Sequence, residues 1–225
     1  MDRLYPEGAL VFEIGAGTGR MVQAFLEHGA GKVLAVEPGR DALCELVPRF
    51  QGDERVVIVP RAVGESERRG DLAVNHGVCS ASTLVPAVAW GPGTQFVGMR
   101  PDAYEDVFVT TLDVLVYHYG VPAFVNLTVV RYEWQALCGL TQRLPYLAFA
   151  VTRDTIRQGW AARAVDRVVE VAPDALFNYG RRDVIIDGEV APLRWEQWVG
   201  PEQVKEILPE IDEPGLWGRI HVKME

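Results

Sequence analysis

The sequence predicts an α/β fold, a mostly parallel sheet with helices on both faces. Three observations predict it. Short apolar runs alternate with amphipathic helical stretches, the order of βαβ units. The runs are continuous rather than alternating, so both faces of the sheet are covered. A glycine-rich turn, Gly15-Ala16-Gly17-Thr18-Gly19, joins the first run to the first helical stretch.

The elements follow in chain order. Val11-Phe12-Glu13-Ile14 is the first strand. From Thr18 to His28, Met21, Val22, Phe25 and Leu26 share one helical face. Val33-Leu34-Ala35-Val36 is the second strand and ends at Glu37. Ala42, Leu43, Leu46, Val47 and Phe50 mark the next helix, whose last turn Pro48 is expected to disturb. Val56–Val59 is a third strand.

From about 65 to 106 the rhythm breaks, with Gly70, Gly77, Gly91, Pro92, Gly93, Gly98 and Pro101. Short β-prone pieces lie near Asp71–Val74 and Ser82–Val85. This reads as an insertion over a pocket mouth, within a single domain spanning 1–225; a loose surface loop is the alternative. Regularity then returns. Val107–Thr111 reads as a strand, and Leu112, Leu115, Val116 and Tyr119 line a helix that Gly120 caps. Ala123–Val129 is a strand, Tyr132–Leu140 a helix, Tyr146–Val151 a strand and Ile156–Val168 one helix. Late strands fall at Phe177-Asn178-Tyr179, Val184–Ile186 and Gly218–Val222, with a short helix at Pro201–Leu208.

The first two strands and their turn carry chemistry. Glycines let backbone come close to a ligand, because no Cβ intervenes. A helix starting at such a turn aims free N–H groups at the ligand. A carboxylate at the tip of the second strand, here Glu37, accepts hydrogen bonds from ribose hydroxyls. Together they describe a pocket for an adenosine-containing cofactor. The dinucleotide pattern G-x-G-x-x-G is broken, since Arg20 stands at the third glycine and Gly19 gives G-x-G-x-G. Glu13 would repel a pyrophosphate but suits the ammonium of an amino acid, which S-adenosylmethionine carries. A structural turn with no ligand is the alternative.

Composition narrows the classes. Of 225 residues 48% are hydrophobic, enough for a full core, and the net charge is −9, which argues against a nucleic-acid surface. Arg68-Arg69 and Arg181-Arg182 are isolated basic pairs. No run of apolar residues is long enough to span a membrane. The first residues hold no apolar signal region, so a cytoplasmic protein is expected. Cys44, Cys79 and Cys138 are far apart, as reduced thiols would be. His28, His76, His118 and His221 show no metal-ligand spacing, so no metal is expected. The first core strand begins about residue 9 with no helical lid before it, which suggests a second subunit over the pocket, as in a homo-oligomer.

Glu13-x-Gly15-x-Gly17-x-Gly19 resembles the first motif of the class I methyltransferases. Val36-Glu37-Pro38, Pro60-Arg61-Ala62-Val63-Gly64, Ser80-Ala81-Ser82-Thr83-Leu84 and Thr110-Thr111-Leu112-Asp113 narrow the resemblance. With Tyr132-Glu133, Ala136-Leu137, Gly139 and the closing Trp217-Gly218, the chain resembles the FkbM-type methyltransferases from about residue 9 onward. That resemblance implies a Rossmann-like, seven-stranded sheet and S-adenosyl-L-methionine as cofactor. It also implies methyl transfer to an oxygen of a sugar, a polyketide or a related small molecule. Glu13, Gly15, Ala16 and Gly17 would take the methionine portion, Glu37 with Pro38 the ribose, and Ala62 the adenine. Ser82 and Thr83 would close over the cofactor, and Asn126 would stand at the neighbouring strand tip.

One departure stands out. Where the family carries Lys-Ile-Asp-Val-Glu-Gly, this chain reads Asn126-Leu127-Thr128-Val129-Val130-Arg131. Thr128 and Val130 replace carboxylates, and Arg131 replaces a glycine in a position with a need for positive φ. His76 in the insertion, Glu133 and Thr128 are the candidates for catalysis. Three readings follow: an O-methyltransferase for a small acceptor, a cofactor-binding relative that acts as a partner without catalysis, and a nicotinamide oxidoreductase. Arg20 and Glu13 count against the third.

Overall fold

The structure, a computed structural model, describes residues 4–78, 81–91, 94, 96–181, 183–186, 189–210 and 217–224. Cys79, Ser80, Pro92, Gly93 and Arg182 lie outside the described residues.

Chain order begins with β1 (Leu10–Ile14), α1 (Arg20–Glu27), β2 (Lys32–Val36), α2 (Arg40–Arg49) and β3 (Val56–Val59). β4 (Ala62–Val63), β5 (Arg68–Val74), α3 (Pro86–Ala89) and β6 (Ala103–Thr110) follow. Then come α4 (Leu112–Tyr119), β7 (Phe124–Leu127), α5 (Glu133–Cys138), β8 (Tyr146–Thr152), α6 (Arg153–Arg157) and α7 (Trp160–Val171). The chain closes with β9 (Leu176–Arg181), β10 (Ile185–Ile186), β11 (Glu189–Val190), α8 (Pro201–Ile207) and β12 (Trp217–Lys223).

Seven strands form one sheet in the order β3-β2-β1-β7-β8-β12-β9. β12 runs antiparallel to both of its neighbours, and the other pairings are parallel. The seven-stranded, mostly parallel sheet is thus the one expected. Phe12, Ile14, Leu34 and Val36 pack with residues of α4, α5 and α7 on one face. Val11, Val33 and Ala35 pack with Met21, Val22, Phe25, Leu26, Leu46 and Phe50 of α1 and α2 on the other. Chain order reverses at β1, whose neighbours are β2 and β7. The crevice beyond the carboxyl ends of such strands is where open α/β sheets bind ligands.

Four details differ from the sequence reading. Val107 to Thr110 belong to a separate three-stranded sheet, in which β6 pairs parallel with β4 and antiparallel with β5, and Thr111 caps α4. That sheet draws in residues on both sides of the 65–106 segment, because β6 needs β4 as its second neighbour. Pro48 does not end α2 early: it sits in the last turn, and the helix reaches Arg49. Val47 is 48% exposed, so the buried stripe of α2 is narrower than its apolar residues suggest. The expected helix at 156–168 is two helices, broken where Gly159 takes a left-handed φ of 76°.

Candidate functional site: two cavities at the strand ends

The turn after β1 is held against β2. The N–H groups of Gly15 and Ala16 donate to the Val36 carbonyl at 2.9 and 3.0 Å. Gly15 has φ 83°, and a Cβ there would collide with the Thr128 carbonyl of the next loop. Only glycine lets these two strand ends approach. Gly19 has φ 89°, and its Cβ would meet Leu46 Cδ1 at 2.7 Å and the Phe50 ring. The close packing of α1 on α2 therefore falls at position 19, which leaves position 20 free to be an arginine. At Gly17 a Cβ would meet nothing within 4 Å, and Gly17 lines the open space above the turn.

Glu37 at the tip of β2 caps this turn. Its Oε2 accepts from the Gly17 N–H and its Oε1 from the Gly39 N–H, both at 2.8 Å. Burial pushes its carboxyl upward, against the pull of those two N–H groups. Glu13 is buried in β1, beside its register partner Asn126 of β7. Asn126 Nδ2 donates to Glu13 Oε2 at 2.7 Å. Burial pushes the Glu13 carboxyl up to about 8, although Arg219 and Asn126 pull it down.

A charged cluster lies beside Glu13. Arg219 of β12 is fully buried, and its Nη2 donates to Thr128 Oγ1 at 2.9 Å and to Asp183 Oδ1 at 3.1 Å. Asp183 also pairs with Arg20, the first residue of α1. Such a network holds its shape because each buried charge has an opposite partner.

These groups surround a cavity of about 340 Å³, within the usual size range of small-ligand sites. Of the expected binding residues, Glu13, Gly15, Ala16, Gly17, Glu37, Pro38, Ala62 and Ser82 are on its wall. Thr83 is there too, and its hydroxyl donates to the Val130 carbonyl at 2.8 Å, tying the inserted segment to the loop after β7. Asn126 is not among the described wall residues; its place is behind Glu13. Leu72, Ser82, Thr83 and Leu84 place part of the 65–106 segment on the cavity wall.

A second cavity of about 270 Å³ adjoins the first. Thr128, Val129, Val130 and Trp217 line both. Glu133, the first residue of α5, lines the second, and burial pushes its carboxyl up to about 8. Arg131 does not pair with Glu133 by an ion pair: its Nη2 reaches Asp154 at 2.7 Å. Arg131 has φ 61°, the one positive φ at a non-glycine among the described residues. His76 lines neither cavity among the described residues; its exposed ring sits 2.6 Å from Asp41, which raises its pKa. Thr128 Oγ1 is engaged by Arg219, a donor rather than a base.

The sequence reading did not pick out Arg219, Asp183 and Trp217 as wall residues. Their signal was faint. Arg219 interrupts the apolar β12 run, and an arginine inside a buried strand marks a paired charge or a ligand. Asp183 lies between strands, with no pattern to flag it. Among the described residues no group of three or more His, Cys, Asp or Glu is placed to hold a metal ion. Among them also, no helix is long and apolar enough to cross a membrane.

No family model matches the sequence, and no curated protein matches it. Solved structures do match the fold. Methyltransferase FkbM from Methylobacillus flagellatus KT is similar, with a TM-score of 0.51 and 17% identity over 83% of this chain and 43% of that one. The chain thus spans less than half the length of that structure. A precorrin-6y C5,15-methyltransferase from Geobacter metallireducens GS-15 gives a TM-score of 0.48 and 11% identity over 99% of this chain and 83% of that one. A protein of Streptococcus mutans assigned as a methyltransferase, solved in complex with SAH, gives 0.44 and 13% over 97% and 90%. The chain shares the seven-stranded α/β fold of the Methylobacillus flagellatus structure.

Proposed function

We propose that this chain is an S-adenosylmethionine-dependent methyltransferase that acts on a hydroxyl oxygen of a small molecule. The observation that carries this reading is the pair of cavities meeting across Thr128–Val130 and Trp217. One has the walls of a cofactor site, the other is a separate chamber for an acceptor. Similar folds host many chemistries, so the argument rests on the site.

The first cavity fits the cofactor. The wall at Gly17 is open where a side chain would intrude. Glu37 offers carboxylate lone pairs to ribose hydroxyls, Ala62 and Leu72 an apolar wall to a base, and Glu13 a carboxyl to an ammonium. When bound, S-adenosylmethionine supplies a methyl group on a sulfonium, already activated. The chain's task is then to hold the acceptor in line and to exclude water. Glu133 is the residue of the second cavity suited to take the acceptor's proton, since a carboxyl raised to about 8 is, once ionised, a stronger base than an ordinary carboxylate. Thr128 and Val130 provide packing along the shared wall and no base.

A second reading has one observation in its favour. Thr128 and Val130 leave the end of β7 without the two carboxylates of the family motif, as a cofactor-binding partner without catalysis would. Incubation with methyl-labelled cofactor and a panel of hydroxylated acceptors separates the two. Label in an acceptor, lost in Glu133→Gln, supports catalysis. Tight S-adenosylhomocysteine binding with no label in any acceptor supports the partner reading.

A further inference from the structure

We infer that the second cavity selects a flat, largely apolar acceptor with a phenolic hydroxyl, and that Arg131 holds the oxygen of that hydroxyl. The fate of the hydroxyl rests on the methyltransferase reading above; its binding does not.

The cavity wall is apolar where it is widest in chemical choice: Phe96, Val129, Val130, Ala150 and Trp217 face it. Its threonines are already engaged. Thr128 Oγ1 accepts from Arg219 at 2.9 Å. Thr152 and Thr155 cap α6 reciprocally, with Thr155 Oγ1 taking the Thr152 N–H at 2.8 Å and Thr152 Oγ1 taking the Thr155 N–H at 3.3 Å. Among the described wall residues, Arg131 and Glu133 are left for a ligand, Glu133 with the carboxylate lone pairs that the backbone N–H groups of Arg131 and Glu133 do not take.

Arg131 is unfinished. Its Nη2 is satisfied by Asp154, but its Nη1 is buried with no hydrogen-bond partner. A buried cationic donor left unpaired is costly. The same residue holds a left-handed backbone at φ 61°, a strain that persists where surroundings fix it. An oxygen brought into the cavity would complete this donor.

The chemistry of that oxygen follows from the neighbours. A sugar would bury several hydroxyls, each in need of a partner, and the wall has two residues to give. A carboxylate would stand beside Asp154 at a single guanidinium that Asp154 already pairs, which like-charge repulsion opposes. A neutral phenol avoids both penalties. Its oxygen accepts from Arg131 while its O–H donates to Glu133 once that carboxyl is ionised, as it becomes when pH rises to about 8. In the transfer, the oxygen forms the new bond to the methyl carbon, the carbon–sulfur electrons stay on sulfur, and the phenolic proton passes to Glu133. The aromatic ring lies among Phe96, Trp217 and the valines.

The test is calorimetric titration of the full chain with p-cresol, toluene and methyl α-glucoside, each with and without S-adenosylhomocysteine. The expected result is p-cresol binding at least tenfold tighter than toluene, with no glucoside binding. Arg131→Lys keeps a cation for Asp154 but loses the fork, and should erase the preference for p-cresol over toluene. Ala150→Leu fills the cavity and should abolish p-cresol binding while S-adenosylhomocysteine still binds. Glucoside binding at or above that of p-cresol would overturn the inference. So would a cresol preference untouched by Arg131→Lys, or no p-cresol binding under either condition. If p-cresol binds in an Arg131-dependent way and S-adenosylhomocysteine does not bind at all, the cavity assignment stands and the methyltransferase reading falls.

Discussion

Replacement of Glu37 separates a structural role from a binding role at one side chain. Its two carboxylate oxygens each take one backbone N–H, from Gly17 and from Gly39, at 2.8 Å. Glu37→Ala leaves both donors without that partner. The Gly39 bond is buried, and an orphaned buried donor costs about 1–3 kcal/mol. The Gly17 bond is only part-buried, so water recovers some of its loss. A stability loss of about 2–4 kcal/mol follows for Glu37→Ala. Glu37→Gln offers one acceptor and one donor group, so one N–H stays paired; it also relieves the burial of a charge, and about 1 kcal/mol is expected. The effect on the ligand is separate. Loss of charge-assisted hydrogen bonds to the ribose should weaken S-adenosylhomocysteine by about 1–3 kcal/mol, or roughly 5- to 150-fold in Kd, in either variant. Urea unfolding followed by tryptophan fluorescence reads the first quantity, and titration calorimetry the second. Unchanged Kd in folded Glu37→Gln would refute the ribose assignment and leave Glu37 as a cap for the turn. Unchanged stability in Glu37→Ala would refute the cap.

Other consequences follow from the same buried charges. Glu13 and Glu133 are both pushed up to about 8 by burial, and Glu37 moves the same way. Glu13 and Glu133 keep their protons in the folded chain where the unfolded chain has lost them, so their contribution is fully present at acid pH and disappears as pH rises to about 8. His221, pushed down to about 3 by burial, opposes this below its ordinary value of 6.5. From about 6.5 to 8 the carboxyls act together with His76, whose pKa Asp41 raises and whose contribution is likewise lost as pH rises, and the urea midpoint should fall; a flat or rising midpoint there would contradict the shifts, and Glu13→Gln with Glu133→Gln should lessen the fall. Binding of an ammonium beside Glu13 favours the ionised carboxyl, so S-adenosylhomocysteine at pH 7 should release a proton. Calorimetry in buffers of different ionisation enthalpy reads that release, which Glu13→Gln should remove. Arg219→Met strips Asp183 and Thr128 of a fully buried partner and should cost about 3–5 kcal/mol in urea unfolding. Adding Asp183→Asn should recover part of that loss, because the buried charge then left with Arg20 as its ion-pair partner is gone; strict additivity would mean that the pair is not coupled.

Much of the fold was legible because its period is local. Val11–Ile14, Val33–Val36 and Val56–Val59 read as buried strands, and Met21, Val22, Phe25 and Leu26 are the buried face of α1. The reading failed where a distant partner decides. Val107–Thr111 looks like any core strand, yet its partners are Ala62, Val63 and the 68–74 segment. The helix break at Gly159 is invisible to an apolar period that runs through it. The site divides the same way. Glu13, the glycine turn and Glu37 lie within one βαβ unit, so spacing alone brought them together. The cluster of Arg219, Asp183 and Thr128 joins residues 36 and 91 positions apart, and no local pattern announces it. Arg131 shows both sides. Its left-handed backbone was foreseeable from the glycine it replaces, while its ion pair with Asp154 was not.

The measurement that bears most directly on the central claim is calorimetric titration of the chain with S-adenosylhomocysteine, with NAD as control. The account predicts saturable binding of S-adenosylhomocysteine alone, weakened in Glu37→Gln. Binding of NAD, or of neither ligand, would contradict it.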